Sequence, residues 1–333
     1  MKKLLIIFIL VLIVLAFGCS KNNKQPNIPE WESFVLLPGT NWTEATNNAS
    51  FSARYSHTSV VYNNKMWVIA GVGRVGGSIT SMNDVWYSID GADWIETTGN
   101  ANFSARNGHT SIVYNNKMWV IAGENVSDLN DVWCSIDGIT WSEITSGAKF
   151  SPRNGHTSIV YNNKMWVIGG AYNEYQTIMN DVWNSNDGNT WTQVTTTAGF
   201  SPRYGHTSVV YNNKMWVMCA YSPDLNDVWY SSDGINWAES TGSAAFPVRA
   251  WHTSVVYDNK MWVIAGNGNT SYLNDIWYSS DGINWIEATA NAGLLPRYSH
   301  TSVVYNNKIW AIGGFTDVLR GISSYLNDVW YTP

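Results

Sequence analysis

Charge is scarce in this chain. Only 13% of its 333 residues are charged, far from the charge-rich composition that keeps a chain unfolded. Basic residues are scarcer still. Without Lys2 and Lys3, Lys and Arg fall from 19 to 17 against 25 acids, a net charge of about −8. No basic block remains, which argues against a nucleic-acid partner. Cysteine is nearly absent, with three copies. Cys134 and Cys219 stand where equivalent positions hold Tyr or Asn and Ala or Gly, so they read as apolar fillers and no disulfide between them is expected. No stretch has an apolar period of about 3.6 residues long enough for a helix. No Gly-rich phosphate loop occurs, and no Ser–His–Asp set stands out.

Long hydrophobic runs are also missing, apart from the 14 residues Leu4 to Phe17. That length is short for a membrane span and suits a signal peptide over residues 1–18, with Lys2 and Lys3 as its basic start. Gly18-Cys19 and the polar stretch Ser20 to Pro29 follow. The cysteine after glycine resembles a bacterial lipobox, although Ala16 and Phe17 depart from the usual Leu and small residue. The resemblance implies lipidation at Cys19, a flexible tether over 19–30 and a place in a bacterial cell envelope, periplasmic or surface-exposed. The alternative is an ordinary signal peptide with an incidental cysteine.

What the chain does have is repetition. A phrase close to HTSVVYNNKMWV begins at His57, His109, His156, His206, His252 and His300. Six copies spaced 46–52 residues apart determine the architecture before any other argument. In the fifth copy, His252 to Tyr257 reads as a strand, and Asp258-Asn259 as a type I′ hairpin turn. Met261 to Gly266 is a second strand, apolar on both faces. Asn267 to Leu273 reads as a loop, Asn274 to Ser279 as a third strand and Trp285 to Thr289 as a fourth. The tight turn Ser280-Asp281-Gly282 lies between the last two. A four-stranded meander with two apolar faces cannot bury them alone, so neighbours must stack. This predicts an all-β, six-bladed propeller of four-stranded antiparallel blades over 31–333. The sixth copy stops after its third strand at Tyr331. Asn41 to Thr46 matches the missing fourth, so an N-terminal outer strand should join three C-terminal strands and close the ring.

Arg-x-x-His before an apolar strand, then a small pair such as Gly169-Gly170 or Gly313-Gly314, then an aromatic strand and a Trp strand, resembles the kelch repeat. The resemblance covers nearly all of 41–331 and is weakest in copy four, where the pair is Cys219-Ala220. It implies a propeller serving as a binding module, with a few enzymes among its relatives. The segment Ser185 to Trp191 resembles, one residue short, the Asp-box turn of sialidase-type propellers, a carboxylate closing a turn before a Trp. The copper chemistry of galactose oxidase needs a Cys–Tyr crosslink and a His pair that the chain does not offer. No metal or other cofactor is expected.

Each copy carries one His and one Arg at fixed places, His57 and Arg54 in the first. The histidines are metal ligands or blade-to-blade ties; even spacing favours ties, because metal ligands must converge. The arginines Arg54, Arg106, Arg153, Arg203, Arg249 and Arg297 are scaffold or, clustered at the mouth, a carboxylate-sugar site. Function should lie where copies differ. The segments between second and third strands diverge: Val72–Met82, Glu124–Leu129, Ala171–Met179, Tyr221–Leu225, Asn267–Leu273 and Phe315–Leu326. Variable loops on a rigid scaffold are where binding is usually placed; drift without function is the alternative. Before His, five copies have Ser or Gly and the fifth has Trp251. Trp251 either stacks on a ligand at the channel mouth or plugs space. The first candidate ligand-binding residues are Trp251, Arg74, Tyr172, Tyr175 and Arg320. The expected function is a lipid-anchored, monomeric module for a protein or glycan ligand. Alternatives are a carbohydrate-active enzyme such as a sialic-acid mutarotase, with Glu174 as its acid/base group, and a structural surface protein.

Overall fold

The computed structural model describes residues 39–221, 224–319 and 322–332. The expected signal segment 1–18, Cys19, the tether 19–30 and Arg320 lie outside them. Everything described is strand and turn. Six antiparallel sheets, one per copy, form the blades of a propeller.

In each blade the innermost strand is the Thr-Ser-x-Val-Tyr segment, Thr58–Tyr62 in the first and Thr301–Tyr305 in the last. The two residues after it both adopt φ of +47 to +56°, as at Asn63 and Asn64. This is the expected type I′ turn, which asparagine tolerates at low cost. The second strand is buried on both faces; Met66, Val68, Ile69 and Ala70 have no exposed surface. Each fully buried aliphatic side chain of this kind contributes roughly 1.5–3 kcal/mol of transfer free energy. The apolar clusters lie between blades: one joins Ile112, Trp119 and Ile121 of the second blade to Met165, Val167 and Trp183 of the third.

The tryptophans also pack across the blade interface. Gly138, in the Asp-Gly turn of the second blade, has φ +75°, and a β-carbon there would come 2.2 Å from the Trp67 ring of the first. The same contact recurs around the ring and includes Gly91 against Trp310 and Gly39 against Trp262. Only glycine combines that φ with that approach. Gly39 therefore extends the closing segment upstream of the Asn41 start expected from the sequence. In the turns, Asp90 Oδ1 accepts the backbone N–H of Ala92 and Asp93, at 2.9 and 3.0 Å. This is the carboxylate-closed turn expected before Trp94, and Asp137, Asp187, Asp233 and Asp281 repeat it.

Closure is as the repeat arithmetic requires. Thr43–Thr46 pairs antiparallel with Ile322–Tyr331, Thr43 opposite Tyr331. Tyrosine hydroxyls stitch the inner turns from blade to blade. Tyr62 Oη donates to the Asn116 carbonyl at 2.8 Å, and Tyr305 Oη donates to that of Asn64 at 2.8 Å, completing the circle.

The segments expected to be variable loops are largely hairpin extensions. The second strand of blade one runs Lys65–Val75 and the third Ser78–Ser88, so only Gly76 and Gly77 separate them. In the fifth blade the strands are Lys260–Gly268 and Tyr272–Ser279, which shortens the Asn267–Leu273 loop to three residues. The fourth strand begins at Ile286 rather than Trp285. Backbone pairing continues past the apolar pattern because an open hairpin would leave donors and acceptors unpaired. Cys134 and Cys219 are both buried free thiols; burial pushes the Cys219 thiol up to about 12, where it is unreactive at neutral pH.

Candidate ligand site at the channel mouth

The residue before each histidine builds a collar around the axis. Ser56, Gly108, Gly155, Gly205, Trp251 and Ser299 all have φ of +48 to +65°. Each N–H donates to the carbonyl of the same position in the preceding blade, at 2.7–3.1 Å, and Ser56 closes the circle on Ser299. The left-handed conformation turns these amides along the circumference instead of into the blade. Ser and Gly accept it at modest cost; for a residue as bulky as Trp251 it is an outlier.

The histidines form a second circle. Each Nε2 lies 2.9–3.1 Å from the threonine Oγ1 of the preceding blade, His109 with Thr58 and finally His57 with Thr301. They are blade-to-blade ties. Burial, with the nearby Arg54 or Arg203 charge adding to it, lowers His57 and His206 to about 3. Burial likewise holds the other four well below 6.5, so all are neutral at pH 7. Beyond this circle six Thr and six Ser line a channel section of about 260 Å³.

The six repeat arginines are scaffold. Each has 0% side-chain exposure and forms a two-pronged pair with an aspartate on the third strand, Arg54 with Asp84 and Arg203 with Asp227. The aspartate also accepts a Trp N–H two residues on, as Asp84 does from Trp86 at 2.7 Å. Arginine Nη1 donates to the carbonyl of the first residue of the small pair, Ala70 in blade one. Blade four keeps this bond through the Cys219 carbonyl, at 3.0 Å, so its unusual pair does not break the pattern.

Above the collar lies a cup of about 190 Å³, lined by Tyr55, Asn107, Glu124, Asn154, Tyr175, Trp251, Tyr298 and collar residues. Its walls come chiefly from the position after each repeat arginine. The Trp251 indole lies over the Gly155 and Gly205 backbones and meets Tyr204 edge-on at 5.8 Å between centroids. Tyr175 stacks on Tyr204 at 4.8 Å. Across the cup, Tyr55, Tyr298, Phe315 and Tyr325 form a second aromatic group, with centroids 5.4–6.3 Å apart. Between the two stand carboxylates. Asn154 Nδ2 donates to Glu124 Oε2 at 3.1 Å and to Asp128 Oδ1 at 2.6 Å, and the Asn173 N–H donates to Asp128 Oδ2 at 2.7 Å. Burial, and then the Asp128 charge, push the Glu124 carboxyl above its ordinary range. Burial and then the Glu124 charge raise the Tyr175 hydroxyl.

Of the residues singled out from the sequence, Trp251 and Tyr175 meet in this cup. Trp251 covers two glycines and lines the cavity. Tyr172 is partly buried at the end of Lys164–Tyr172, opposite Thr177, and does not line the cup. Arg74 is exposed near the tip of the first blade's hairpin, opposite Ile79, and Glu174 is exposed on the third blade's hairpin at φ +52°; neither lines the cup. Sequence reasoning passed over Tyr55, Asn107, Asn154, Tyr204 and Tyr298, and also Glu124. The signal was present: the position after the repeat arginine reads Tyr, Asn, Asn, Tyr, Ala, Tyr between nearly constant neighbours.

The family model described as the KLHDC2/KLHL20/DRC7 Kelch-repeats domain matches residues 96–242 and 135–285. The Kelch motif model matches residues 296–331. No curated protein matches the chain.

Proposed function

The chain belongs to the kelch-repeat family of β-propellers, and from that premise we propose that it is a protein-interaction module whose partner docks at the channel mouth. Trp251 carries this reading. At the one collar position where the copies depart from Ser or Gly, the chain holds a tryptophan in a left-handed conformation. That conformation costs roughly 1–2 kcal/mol, and such strain is retained where the surroundings and a function demand it. The turns of the opposite face are near-copies of one another and offer no such distinction. A photo-crosslinker at Tyr175 of the full chain should capture a partner that one at Ile139, in an opposite-face turn, does not. Trp251→Gly should abolish that capture. Capture from Ile139 alone sinks the reading.

A carbohydrate-active enzyme, such as a sialic-acid mutarotase, is the second reading. Glu124 favours it, as a half-buried carboxyl in the cup with a raised pKa suited to an acid. Sugar turnover abolished by Glu124→Gln supports this reading; Trp251-dependent binding without turnover supports the module. A purely structural protein would show neither. We also propose that the chain is anchored through lipid on Cys19 in a bacterial cell envelope. Mass spectrometry should find an acyl-modified Cys19 at the mature N-terminus, absent in Cys19→Ala; an unmodified, soluble chain refutes the anchor.

A further inference from the structure

The geometry of the cup points to its ligand: a cationic side-chain head group, the guanidinium or ammonium of an arginine or lysine presented by a protein partner. The inference rests on the mouth being the docking site. Size comes first. A cavity of about 190 Å³ falls below the roughly 300–1,000 Å³ of small-molecule pockets, so it suits one head group and not a whole sugar chain or cofactor. The walls come next. Tyr55, Tyr175, Trp251 and Tyr298 line it, and aromatic faces attract cations through the ring quadrupole, most strongly where water is excluded.

Charge decides the sign. Glu124 lines the cup and shares the Asn154 amide with Asp128. The side-chain and backbone groups donating to the two carboxylates are neutral amides. Among the described residues lining the cup there is no lysine or arginine. The repeat arginines are fully buried and committed to their aspartates. The nearest histidines, in the circle beneath the collar, are neutral and bonded to threonines. A half-buried carboxylate pair therefore has no counter-ion within the cup, and burying such charge unpaired is costly. A cation entering between the aromatic walls supplies one. An anionic ligand meets carboxylates and ring faces that both repel it.

The test is calorimetric titration of the full chain with N-acetyl-argininamide and with its neutral isostere N-acetyl-citrullinamide. The arginine probe should bind saturably and at least tenfold more tightly. Glu124→Gln should erase that difference, and Tyr175→Ala, on an exposed hairpin, should weaken the arginine probe if Glu124→Gln does not fold. Equal binding of the two probes overturns the cationic assignment, as does no binding of either or an affinity that Glu124→Gln leaves unmoved. Crosslinking at Tyr175 is read separately: capture that persists alongside any of those results keeps the mouth as the docking site and sinks only the ligand class.

Discussion

The Trp251 indole rests on the backbone of Gly205, so close that a β-carbon on that glycine would come 2.9 Å from the ring. One blade's collar residue thus covers its neighbour's. Gly205→Ala should destabilise the fold by about 1–3 kcal/mol, through the left-handed φ of +65° and through overpacking. In Gly205→Ala, Trp251→Gly the overpacking part should be recovered, and a double-mutant cycle from urea denaturation reads the coupling. Strict additivity would mean the two residues do not press on each other.

Trp251→Gly alone should change stability by less than about 1 kcal/mol. Relief of the left-handed strain offsets the loss of an indole that is only partly buried. Partner binding should nonetheless be lost. A loss of several kcal/mol in a thermal or urea melt would show that the indole is a structural plug and little else.

Asp227→Asn should cost about 3–5 kcal/mol, because it leaves the fully buried Arg203 charge uncompensated. The Trp229 N–H, bonded to Asp227 at 2.7 Å, loses its ionic acceptor as well. The urea midpoint checks this. A shift no larger than that of a surface substitution would remove the arginine–aspartate pair from the stability argument.

Acid should unfold the ring early. The histidines are buried and neutral, with His57 and His206 lowered from 6.5 to about 3. The unfolded chain takes up protons below pH 6.5 while the folded ring does not. Stability is therefore full above pH 6.5 and falls as pH drops from there toward 3. Each histidine adds a slope of about 1.4 kcal/mol per pH unit, and His206→Gln should remove one share. Equal urea midpoints at pH 7 and pH 5 would refute this.

The strand order, the hairpin turns and the completion of the last blade by Thr43–Thr46 were all legible in the chain. Six copies of one phrase repeat every turn and every apolar face, so local chemistry is stated six times over. The structural reading of His and Arg was legible for the same reason: the same His and the same Arg recur at the same place in every copy, as a tie repeated in each blade must. Trp251 stood out against that background, and Tyr175 stood out because it lies in one of the segments between second and third strands where the copies diverge.

The cup itself was not legible, nor that Arg74 and Tyr172 lie outside its lining. Tyr55, Asn107, Asn154, Tyr204 and Tyr298 lie one or two repeats apart along the chain. They become neighbours only when the collar amides bond blade to blade and the circle closes from Ser56 to Ser299. Hairpin extension likewise carried Arg74 toward a tip, because backbone pairing overrode a stretch that looked like loop. The amino-acid sequence by itself determined the blade, its repetition and its closure, since those follow from hydrogen bonding and burial within one copy and the next. Which unlike residues share the mouth was decided only by the ring, because circular closure converts sequence distance into spatial contact.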